Sequence, residues 1–272
     1  MVRVLRYAWL LPAIGACCWL ASLTAMISVW ARDNKPTLVD MDSDDRVPYI
    51  SDIAALGLKP LFVTCNVLLS VGYIAAVCVL CHIEKHKALF SRIAFGVIIA
   101  FGIIGMIGLC LLGGLDTYRH HTAHMSNLGV FLVGTGISTF VHAIHSVMLA
   151  RYYREPAIRW LRISAILKVA WFVVALSLAI AFVCKMGDSG DSGKSTAAPI
   201  LEWVLAYTFG PYCLVLALDL LPRMKYFDRA ESPLGFSGAA NYGHRSRKNA
   251  RRMFTPYAPA PSYPQPVYNS DV

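Results

Sequence analysis

Polar residues in this chain are clumped, and between the clumps run six long apolar stretches: 7–30, 61–82, 93–115, 128–149, 163–183 and 199–221. A helix needs about 20 apolar residues to cross about 30 Å of hydrocarbon. Each stretch meets that length, so the pattern predicts an all-α fold, a six-helix transmembrane bundle. Arg3 and Arg6 precede the first stretch as they would a secretory signal. Its apolar run is longer than the roughly 7–15 residues of a signal core, so it is read as a span.

What lies between the spans sets the orientation. With the N-terminus inside, the inner side holds Arg3, Arg6, Lys85, Lys87 and Arg92, then Arg151, Arg154, Arg159, Arg162 and Lys168. The segment after the sixth span adds Arg223, Lys225, Arg229, Arg245, Arg247, Lys248, Arg251 and Arg252. That is eighteen of the 25 Lys and Arg, while ten of the sixteen acids fall on the other side. Short cytoplasmic loops carry such an excess, so both termini are expected in the cytoplasm. Trp30, Tyr118 and Trp203 at outer span ends, and Tyr7, Trp9, Tyr152, Tyr153 and Trp160 at inner ones, match the depth that amphipathic rings prefer. Gly102, Gly105, Gly108, Gly129, Gly134 and Gly136 crowd the third and fourth spans and are expected to let helices approach closely.

Composition agrees: 57% of residues are hydrophobic and 15% charged, with a mean hydropathy of +0.53. Soluble domains carry about 25% charged residues, so lipid is the main solvent here. The formal charge of +9 therefore reads as orientation and lipid contact, and no nucleic-acid partner is expected. Residues 1–225 form the predicted membrane domain. Residues 226–272, basic and then Pro/Tyr-rich without apolar periodicity, are predicted to be a disordered cytoplasmic tail. The eight cysteines lie in or beside apolar runs and read as packing residues.

Few residues carry chemistry. GDSGDSGKS at 187–195 lacks phosphate-loop spacing, since Gly187 stands one residue too far from Gly193-Lys194-Ser195. Asp40, Asp42, Asp44 and Asp45 lack the glycine and closing glutamate of a calcium loop. Asp116, His120 and His124, spaced by four and four at the outer end of the third span, would share one helical face. Such a set suits zinc or acid–base chemistry, or equally a hydrogen-bonded helix cap. His142 and His145 lie too deep in the fourth span to join them, and with Asn66 are expected to bond neighbouring helices. Lys168 and Asp219, both near the inner surface, either pair or snorkel. Arg245, Arg247, Lys248, Arg251 and Arg252 form a basic cluster suited to anionic lipid or an acidic partner surface. Ser51 reads as the N-cap of a short helix ahead of Pro60. No cofactor and no metal is expected.

Two motifs carry a resemblance. Pro48-Tyr49-Ile50-Ser51-Asp52 before the second span, and Asp116-Thr117-x-Arg119-His120-x-x-x-His124 after the third, resemble the Frag/DRAM/Sfk family, which includes the N-terminal region of the Cwh proteins. The resemblance covers residues 1–225 with matching helix count and loop order. Lys59-Pro60-Leu61 and Leu115 depart from the animal pattern and favour a fungal Sfk-like branch. The resemblance implies a plasma-membrane protein, or an endomembrane one, that supports phosphoinositide synthesis and lipid organisation, and a non-enzymatic scaffold or regulator is the first reading. Its implied partner is a phosphatidylinositol 4-kinase complex at the inner face. It also implies two alternatives: a GPI-anchor lipid-remodelling factor or enzyme working through Asp116, His120 and His124, and an autophagy modulator of the lysosome or vacuole.

Overall fold

The computed structural model describes residues 7–33, 36, 38, 47–84, 89–115, 117–152, 159–187 and 197–230. Its elements are α1 (Leu10–Arg32), α2 (Ile50–Ile53), a π-helical turn (Ala54–Leu58), α3 (Lys59–Glu84), α4 (Leu89–Gly114), α5 (Thr117–Tyr152), α6 (Arg159–Gly187) and α7 (Ala197–Ala230). The described residues contain no strand. Six of these helices, all but α2, are long and apolar enough to cross a membrane, as the hydropathy pattern predicts. Contacts divide the chain into residues 1–225 and 226–272, and of the second unit only the end of α7 is described.

The helix ends differ from the apolar runs wherever polar residues extend a helix. The helix of the fourth span, expected at 128–149, runs from Thr117 with a break at His120, and beyond the break Ser126 and Asn127 bond back to the carbonyls of Thr122 and Ala123. The sixth, expected to end at 221, continues to Ala230.

Glycine decides which helices touch. A Cβ on Gly105 would lie 2.6 Å from the Thr135 backbone nitrogen, and one on Gly134 would lie 2.6 Å from the nitrogen of Gly105. Gly108 meets Phe131 and Gly102 meets Ser138 in the same way, so α4 and α5 are held as a close hairpin. Gly15 and Gly72 play that part for α1 and α3, where a Cβ would come within 2.8 and 2.7 Å of backbone oxygens. Gly129 and Gly136 do not: a Cβ on either meets nothing within 4 Å.

Side-chain hydrogen bonds reinforce these contacts, at about 0.6 kcal/mol each on average inside a membrane. Asn66 on α3 donates to the Leu109 carbonyl on α4 at 3.2 Å, as its position in an apolar run suggests. Tyr73 and Ser138 share a hydrogen bond of 2.7 Å, and Ser138 donates to the Ile98 carbonyl, which joins α3, α4 and α5. Helix α6 is the loosest: 11% of its most apolar stretch is buried, against 39–50% in the other five spans. It packs closely against α5 and reaches α7 mainly through side chains.

Candidate functional site

Two polar assemblies stand out, one where α2 meets the bundle and one deep between α5, α6 and α7.

The first is built by the segment 47–53. Tyr49, with extended backbone, is the N-cap of α2, and its carbonyl accepts the amides of Asp52 and Ile53. Ser51 is thus the second residue of this helix, not its cap. The Pro48 carbonyl accepts the Trp203 indole N–H at 2.9 Å, and the Ile50 amide donates to Glu202 Oε2 at 3.0 Å. Two consecutive residues of α7 therefore hold both sides of Tyr49. Asp52 is 1% exposed and Ser51 half-buried. Gly57, at φ +96°, takes a left-handed conformation that only glycine adopts cheaply, and this turns α2 into α3. Trp203 and Trp30, expected as interfacial anchors, are buried, and their indole N–H groups go to the carbonyls of Pro48 and Pro36. Glu202 was not legible as a site residue, being a single acid near the start of an apolar run.

The second motif runs into the start of α5. Asp116 is outside the described residues. His120 and His124 sit in the first turns of α5, not at the end of α4, and the backbone at His120 is non-helical (φ −135°, ψ 43°). That break undoes the four-residue spacing. His120 and His121 are exposed, whereas His124 is buried and its Nδ1–H donates to the Leu115 carbonyl at 2.8 Å. His124 thus caps the end of α4, the hydrogen-bonded role that the sequence also allows. Among the described residues no group of three His, Cys, Asp or Glu is placed to hold a metal ion. The basic cluster Arg245, Arg247, Lys248, Arg251 and Arg252 is also outside the described residues, as is the acidic run from Asp40 to Asp45.

The second assembly centres on Lys168. Its ammonium donates to Asp219 Oδ2 on α7, to Ser146 Oγ at 3.1 Å and to His142 Nε2 at 3.2 Å on α5. An ammonium has three donors and no acceptor, so all three protons are used. Nε2 of His142 must then accept, which puts the imidazole proton on Nδ1, 3.2 Å from the Tyr212 hydroxyl oxygen that accepts it. Tyr212 lies under the Trp171 ring at 4.3 Å, and Trp171 donates its indole N–H to the Thr208 carbonyl at 2.6 Å. One turn from His142, His145 meets Ser91 on α4 at 3.2 Å. Lys168 and Asp219 therefore pair rather than snorkel. His142 and Ser146 are four residues apart, and Tyr212 and Asp219 seven, so each pair marks one polar face in an apolar helix. That spacing was the available signal for the cluster.

Comparison with known proteins shows the family. The model of the Frag1/DRAM/Sfk1/Cwh43P N-terminal domain matches residues 7–222. Protein SFK1 of Saccharomyces cerevisiae is 26% identical over 310 aligned positions, covering 87% of this chain and 85% of that protein. Protein sfk1 of Schizosaccharomyces pombe is 23% identical over 237 positions, covering 82% of this chain and 67% of that protein. No solved structure matches the chain.

Proposed function

The chain belongs to the Frag1/DRAM/Sfk1/Cwh43P N-terminal domain family, and on that premise we propose that it is a non-enzymatic membrane scaffold that regulates lipid organisation and supports phosphoinositide synthesis. It works at the plasma membrane with both termini in the cytoplasm, where its basic tail holds anionic lipid or a phosphatidylinositol 4-kinase complex. One observation carries the scaffold reading: the Lys168 ammonium deep between α5, α6 and α7 spends every proton on Asp219, His142 and Ser146. A charge saturated by its neighbours ties helices together and leaves no proton for a substrate. The charge bias of the sequence supports the orientation.

The alternative of GPI-anchor remodelling needs His120 and His124 to work together, and an exposed His120 beside a buried, bonded His124 gives it less support. The test is complementation in cells lacking the protein, at matched surface expression, with plasma-membrane phosphoinositide and GPI-anchor lipids read in parallel. Removal of 231–272 is expected to lower phosphoinositide and kinase recruitment, while Asp116→Asn and His120→Gln leave GPI lipids unchanged. Unchanged phosphoinositide after tail removal overturns the scaffold reading. Altered GPI lipids in the two point variants favour the remodelling one.

A further inference from the structure

Between α5, α6 and α7, on the side facing α2, lies a cavity of about 120 Å³. Its walls are largely apolar, with the aromatic rings of Phe131, Trp171, Phe172 and Phe209 among them, and Glu202 is its one ionisable lining residue. Four features make it more than a packing defect. It follows from the loose seating of α6, which Trp171 holds away from α7 like a strut. Gly136 faces it, and a Cβ there would meet nothing within 4 Å. Leu176 lines it while remaining 47% exposed, so it reaches the outer surface of the bundle. Finally, Glu202 gives one oxygen to the Ile50 amide and has no other hydrogen-bond partner among the described residues.

The cavity runs the way a membrane lipid lies. Glu202 is five residues into α7, about 8 Å from its start at 1.5 Å per residue, and Phe209 is about 10 Å deeper. The polar end is therefore close to the membrane interface and the aromatic part lies towards the midplane. An apolar cavity of about 150 Å³ is large enough to take up benzene, so this one has room for a short segment of hydrocarbon chain. The rest of the chain passes out beside Leu176. At that depth the medium against the exposed face of α6 is lipid. A carboxyl at the cavity's polar end keeps acceptor capacity in either protonation state, so it can take a hydrogen-bond donor.

We propose that this cavity binds one membrane lipid, its hydrocarbon chain lodged between α5, α6 and α7 and a donor of its head group, an amine or a hydroxyl, on Glu202. The site does not depend on the phosphoinositide reading.

The experiment uses the full-length protein in phosphatidylcholine vesicles that also carry a trace lipid with a photoreactive group on its acyl chain. The trace lipid has an ethanolamine head, a free hydroxyl head, or a choline head without any donor. Irradiation, digestion and mass spectrometry then locate the label. Label is expected on peptides containing Phe131, Trp171 and Phe209, about tenfold stronger for the donor heads than for choline, equivalent to about 1.4 kcal/mol. Gly136→Phe fills the cavity and is expected to remove that label with no change in thermal unfolding. Should it fail to fold, Ala179→Met fills the cavity from the opposite wall under the same expectation. Glu202→Gln separates the two donor sources: an amine head loses its advantage, whereas a hydroxyl head keeps most of it. Label spread evenly over lipid-facing residues such as Val133 and Val173, or unchanged by cavity filling, overturns the site. Choline label equal to the others overturns the role given to Glu202.

Discussion

Lys168 on α6 and Asp219 on α7 form an ion pair inside the bundle, their side chains 2% and 3% exposed. Each charge is tolerated there only because the other is present. Removing one partner of a buried pair costs about 3–5 kcal/mol, because the survivor is left uncompensated, while replacing both by apolar residues is often neutral. Lys168→Met and Asp219→Leu are each expected to lower the unfolding temperature sharply in detergent, and the double variant to recover most of the loss. If the double variant is as unstable as the sum of the singles, the two residues act independently and the pair does not hold α6 to α7.

The glycines of α4 and α5 divide into two kinds, and substitution separates them. Gly105→Leu drives a side chain into the backbone of Thr135, where even a Cβ would sit 2.6 Å away. Overpacking of this kind costs about 1–3 kcal/mol or more. Gly129→Ala meets nothing within 4 Å and removes a flexible residue from a helix interior, a gain of about 0.5–1 kcal/mol. Thermal unfolding of the two variants beside the parent tests the assignment, and equal shifts would contradict it.

How much of this was legible beforehand depends on the physics of the solvent. A soluble helix shows its buried face by its polar one, but lipid is as apolar as a packed core, so the spans show length without direction. The six helices were therefore readable, while Gly105 and Gly129 looked alike and only the packing tells them apart. Deep polar residues were readable as partners of something: Asn66 and His142 bond neighbouring helices as their positions suggest. Lys168 and Asp219, 51 residues apart, were readable as a candidate pair from their shared depth, whereas the partners of Asn66 and His142, Leu109 and Tyr212, were not. The segment 48–52 announced itself as a motif, but its attachment to Glu202 and Trp203 crosses more than 150 residues. The spacing of His120 and His124 assumes a continuous helix, whereas the backbone breaks at His120 and His124 makes the helix cap that the same residues also suggested.

That break yields a prediction. His124→Ala removes the hydrogen bond to the Leu115 carbonyl at the end of α4 and is expected to cost about 1–2 kcal/mol. His120→Ala alters an exposed side chain and is expected to stay within about 0.5 kcal/mol. Chemical unfolding in detergent reads both. A larger loss for His120 than for His124 would mean that the exposed ring has a structural partner.

The attachment of the motif to α7 gives the last prediction. Trp203→Phe keeps the ring but deletes the N–H that the Pro48 carbonyl accepts, leaving a buried carbonyl without that donor. A lost hydrogen bond of this kind costs about 1 kcal/mol, small for the bundle but large for a short segment held at few points. Glu202→Ala removes the second point, the acceptor of the Ile50 amide. The loss is therefore expected to be local: global unfolding shifts little, while amides of 47–53 exchange with solvent faster in each variant and faster still in the double. Each carboxylate or indole holds one side of Tyr49, so the double variant is expected to exceed the sum of the singles. If exchange in this segment is unaffected by either change, the segment is fixed by its own packing and α7 only passes beside it.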